Sequence, residues 1–64
     1  MSNNTDRFEQ IMAMVDAWAE NHAGWDCRDE AKAEVAFILG DDRFAGVDDE
    51  WIAESAIDAW MAAE

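Results

Sequence analysis

The sequence predicts an all-α fold: a compact three-helix bundle with helices at about 7–22, 27–39 and 49–62. Three observations lead there. Apolar residues recur at spacings of three and four in three segments, glycines fall between the segments, and neither proline nor a strand-like alternation interrupts them. With 64 residues the chain has room for one domain, read as a frayed terminus over 1–5 followed by a single domain over 6–64. Its composition is 52% apolar and includes four tryptophans, which separates it from a disordered acidic tail.

The first helix is expected to open at Asp6 as N-cap, with Glu9 three residues on completing a capping box. Phe8, Ile11, Met12, Val15 and Trp18 then fall on one face, and Gly24 is read as a left-handed stop. Asp26 is read as the cap of the second helix, with Cys27, Ala31, Val35, Ile38 and Leu39 inward and Gly40 ending it at C′. The connector 41–46 has space for one helical turn and offers Phe44 as an anchor. Val47, the Asp48 cap and Ile52 form a hydrophobic staple for helix three, whose inner face is Ile52, Ala56, Ala59, Trp60 and Ala63, widened by Ala53 and Ile57. Trp18, Trp25, Phe44 and Trp60 are expected to supply most of the core, because the many alanines add little apolar area.

The charge is extreme: sixteen Asp and Glu against four Lys and Arg give a formal net charge of −12. Such a balance favours solubility and opposes contact with nucleic acid or an anionic membrane. A basic protein surface is its natural complement. The single cysteine excludes an internal disulfide, and no signal-like or membrane-spanning run is present, so a cytoplasmic location is expected.

Carboxylates near helix starts, such as Asp6, Glu9, Asp29, Glu30, Asp48, Asp49 and Glu50, are favoured there by the helix dipole by roughly 0.3–1 kcal/mol each. Asp16, Glu20, Glu34, Asp41, Asp42, Asp58 and Glu64 lie late in helices or beyond them, against the dipole. Asp16 with Glu20, Glu30 with Glu34, Glu50 with Glu54 and Glu54 with Asp58 are like-charge pairs four apart, each unfavourable by roughly 0.2–0.5 kcal/mol. A core this small supplies only about 3–5 kcal/mol, so these positions ask for an explanation beyond folding. The expected partner-binding residues are Asp16, Glu20, Glu30, Glu34, Glu50, Trp51, Glu54 and Asp58. Trp51 and Phe37 lie toward the acidic sides of their helices, as core-edge covers or as apolar anchors in an acidic rim.

Other chemistries fit poorly. An EF-hand reading from Asp41 places Arg43, Ala45 and Ile52 where calcium ligands are required, and one cysteine with one histidine cannot complete a zinc site, so no metal or other cofactor is expected. Catalysis is not expected either, since Cys27 falls on an inner face, no nucleophile motif is present, and a small bundle has little room for a concave pocket of about 300 Å³. His22 is read as a helix-end residue.

In charge, size and all-helical plan the chain resembles the small phage-encoded DNA-mimic inhibitors, anti-restriction and anti-CRISPR proteins among them. Those inhibitors share no common fold, so the likeness transfers no residue roles. It implies a non-enzymatic protein, in the host cytoplasm if viral, whose carboxylates imitate phosphates and occlude the basic groove of a nucleic-acid-binding protein such as a nuclease or CRISPR effector. The rival expectation is an adaptor or accessory subunit docking through an apolar patch around Trp51, Phe37 and Met61. An alanine-lined helix face would also suit a homodimer.

Overall fold

The structure, a computed structural model, describes residues 3–22 and 27–64, with side chains in the first helix described from Asp6 onward. Its elements are α1 (Asn3–Ala19), α2 (Arg28–Leu39), a short 3-10 turn (Asp42–Phe44) and α3 (Asp49–Ala63), with no strand among the described residues. The molecule is an all-α three-helix bundle, 34 Å along its longest axis and 19 by 16 Å across.

The period of three and four does what it promises. Ile11, Met12, Val15 and Ala19 from α1, Ala31, Val35 and Ile38 from α2, and Ile52, Ala53, Ala56 and Trp60 from α3 form one buried cluster. Small side chains at Ala31, Ala53 and Ala56 let the helices approach, and Trp60, fully buried, fills the remaining space. Trp18 meets Trp60 edge-on with ring centroids 5.5 Å apart, in the T-shaped geometry that aromatic quadrupoles favour. Phe8, Cys27, Leu39, Phe44, Val47 and Ile57 pack around the cluster, so Val47 and Ile52 stand where the staple requires and Cys27 is a half-buried thiol.

Most departures from expectation are at element ends. Asn3–Thr5 is helical rather than frayed, and Asp6 lies inside the first turn of α1 instead of capping it, still near the positive end of the dipole. The helix stops at Ala19, short of His22, because the chain tightens: Asn21 N–H donates to Trp18 O and His22 N–H to Ala19 O, both three residues back. The cap of α2 is Cys27, whose carbonyl accepts from Glu30 and Ala31 N–H; the expected roles of Gly24, Trp25 and Asp26 lie outside the described residues. Gly40 ends α2 with φ −84°, right-handed rather than left-handed. Its missing side chain serves a close approach instead, since a Cβ there would stand 3.3 Å from Ala36 O. Asp48 holds the N-cap position of α3 through its carbonyl, which accepts from Ile52 N–H, and its carboxylate makes no capping bond. Ala63, expected inward, is exposed at the last residue of α3.

Candidate functional site

With sixteen carboxylates and four cations, where the cations go decides what the surface is. Arg7 reaches from α1 to the start of α3, its Nε and Nη2 donating to Asp49 Oδ1 at 3.0 and 2.9 Å and Nη2 also to Val47 O at 2.9 Å. Arg28, the first residue of α2, forms a two-point contact with Asp16 of α1 at 2.9 and 3.0 Å. Its hydrogen bond to Asp16 raises the guanidinium pKa above its ordinary value, so the charge is fixed. Arg43 closes on Asp41, with Nη2 at 2.7 Å and its own backbone N–H at 2.9 Å, and these bonds hold the Asp41 carboxyl below its ordinary range while raising Arg43. Arg7 and Arg28 therefore brace junctions between helices, and Arg43 closes the turn before α3. Lys32 is the remaining cation, without an ion-pair partner among the described residues.

The predicted partner-binding residues fall into four groups. Asp16 is occupied by Arg28, so its place late in α1 has a structural reason. Glu30 is exposed and Glu34 half-buried on the outer side of α2, and Phe37, one turn beyond Glu34, is 61% exposed. Glu50, Trp51, Glu54 and Asp58 are all exposed on α3. At 100° per residue, Trp51, Glu54, Asp58 and Met61 share one outward face, with Glu50 beside it. Trp51 and Met61 are 46% and 47% exposed. Glu20 is exposed in the turn that follows α1. Among the described residues, Glu20, Glu30, Glu34, Glu50, Glu54 and Asp58 make no side-chain hydrogen bond or ion pair.

Sequence reasoning missed five contacts. The Arg7 and Arg28 braces join residues 42 and 12 positions apart, and an arginine amid many acids gives no signal of which one it will meet. The rings of Phe44 and Trp51 stack at 5.9 Å with planes 22° apart. His22, beyond the end of α1, stacks on Trp18 at 4.4 Å and meets Glu64 with Nε2 and Oε1 2.5 Å apart, drawing the end of α3 toward the turn after α1.

The bundle also has clefts that its size argued against: one of about 340 Å³ beside Arg7, Leu39 and Phe44, and one of about 360 Å³ between α1 and α2, with Phe8 and Met12 near Arg28 and Lys32. Both are surface depressions open to solvent. No group of three His, Cys, Asp or Glu among the described residues is placed to hold a metal ion. No helix among them is long and apolar enough to cross a membrane.

Fold and surface together define a small all-α protein with arginine ion pairs at its seams and outward carboxylates. Neither a protein-family model, nor a curated protein, nor a solved structure matches the chain.

Proposed function

We propose that the protein is a non-enzymatic acidic inhibitor that occludes the basic nucleic-acid-binding groove of a target protein, its carboxylates standing in for phosphates. The supporting observation is the division of charge: the arginines are held by Asp16, Asp41 and Asp49, while Glu20, Glu30, Glu34, Glu50, Glu54 and Asp58 have no ion-pair partner among the described residues. On α3 successive carboxylates lie about 6 Å apart along a rigid axis. A groove built of Lys and Arg gains by meeting such a row, and a net charge of −12 steers the encounter. A nuclease or CRISPR effector is the kind of target this chemistry fits.

The test is competition for DNA across a panel of such proteins. The parent protein should displace DNA from its target and lose affinity steeply with added salt. A folded Glu54→Lys, Asp58→Lys variant that inhibits as well as the parent would overturn the mechanism. The exposure of Phe37, Trp51 and Met61 favours a second reading, an adaptor that docks through apolar contacts. Its binding would change little with salt.

A further inference from the structure

The outward face of α3 carries an incomplete version of an arrangement that the chain completes elsewhere. In the complete one, Asp41 grips the Arg43 guanidinium at 2.7–3.1 Å, and the guanidinium carbon lies 5.8 Å from the centre of the Phe44 ring. Aromatic ring, carboxylate and guanidinium are all present, within the distance at which a cation is attracted to a ring face. The next ring is Trp51, stacked on Phe44 and 46% exposed. Glu54 follows one turn on and Asp58 two turns on, both exposed and without an ion-pair partner among the described residues. Ring and carboxylates are there; the cation is not.

We infer that this face of α3 receives an arginine-bearing segment of a protein partner, one guanidinium lying over Trp51 within reach of Glu54 and a second meeting Asp58, with its methylene stem on Met61. This rests on the proposed occlusion of a basic groove and adds which residue type in that groove is read. Arginine suits the face better than lysine: its planar, weakly hydrated guanidinium stacks on an indole while its edge donates to a carboxylate, whereas an ammonium is a compact and strongly hydrated charge. Met61, 47% exposed, gives an arginine stem apolar surface to cover. Nucleobases also stack on exposed tryptophan, but Glu54 and Asp58 would repel their phosphates.

The experiment titrates the full chain with a helical peptide carrying two arginines seven positions apart, its lysine twin, and a single-stranded oligonucleotide. Affinity and the Trp51 indole N–H resonance, assigned through Trp51→Phe, are followed together. The arginine peptide should bind severalfold more tightly than the lysine twin and shift the Trp51 resonance. Trp51→Phe, which keeps a ring on Phe44, should weaken the arginine peptide about two- to fivefold and leave the lysine twin nearly unchanged. Equal affinity for the two peptides, an unmoved Trp51 resonance, or tighter binding of the oligonucleotide would overturn the inference. Equal affinities that both collapse in Glu54→Lys, Asp58→Lys would overturn the arginine reading while leaving charge occlusion intact. If that variant binds both peptides as the parent does, both readings fall.

Discussion

Glu54→Gln tests whether the outward carboxylates cost stability, the premise on which a functional reading of them depends. Glu54 stands one turn from both Glu50 and Asp58, exposed and without a partner among the described residues. The substitution therefore removes two repulsive pairs and no favourable contact. At about 0.2–0.5 kcal/mol for each pair, the gain is about 0.4–1 kcal/mol. Glutamate and glutamine have nearly equal helix propensity, so the backbone contributes no offset. In a domain of this size a gain of that order raises Tm by about 2–8 °C. Thermal unfolding followed by circular dichroism at low ionic strength reads it directly. At 1 M salt the screening length of about 3 Å is shorter than the spacing between the carboxylates, and the gain should vanish. An unchanged Tm at low salt, or a gain that survives at 1 M, would show that the row is not electrostatically costly.

Trp60→Ala should lose about 3–5 kcal/mol, because the ring is fully buried against Trp18 and small side chains that cannot collapse inward; loss of near-ultraviolet circular dichroism and of dispersed amide resonances at 25 °C would report it. Arg28→Gln should cost only about 0.2–1 kcal/mol, since the Asp16 pair is more than a third exposed, and urea unfolding would measure it. The Asp41 carboxyl is held below the ordinary 3.8 of an aspartate by its hydrogen bonds from Arg43. Its folded pKa is thus below its unfolded one, so it stabilises the fold above the ordinary value, and that contribution disappears as pH falls through the depressed one. Comparing acid unfolding of the parent with Asp41→Asn isolates this contribution, and the difference between them should shrink below about pH 4.

The helix faces were legible because burial follows a period that composition cannot hide: Val15, Val35 and Ala56 each mark the centre of a stripe, and all three are fully buried. Helix ends were less legible, because they depend on which backbone group finds a partner. Cys27 caps α2 through a carbonyl, which any residue can supply, and Gly40 ends it through close approach rather than a positive φ. In the candidate site, Glu54, Asp58 and Trp51 could be placed from the helix wheel alone. Asp16 looked equally unexplained, yet it is half of a brace. What distinguishes it is Arg28 arriving from another helix, and tertiary pairing of that kind leaves no mark on local sequence.

In a chain with a net charge of −12, the arginines also put their positive charge where the backbone elements meet. Arg7 joins α1 to the start of α3, and Arg28 joins α1 to α2, in each case by neutralising a carboxylate at the junction. Arg43 does the same within the turn that leads to α3. Glu20, Glu50, Glu54 and Asp58 are exposed and lie away from these pairs, so they can be repulsive without forcing the helices apart. Moving one arginine from a junction to the α3 face would relieve that row and open a seam in the same step. Lys32, the one cation without an ion-pair partner among the described residues, lies on α2 beside the α1 cleft, so among those residues no cation of the chain pairs with Glu54 or Asp58.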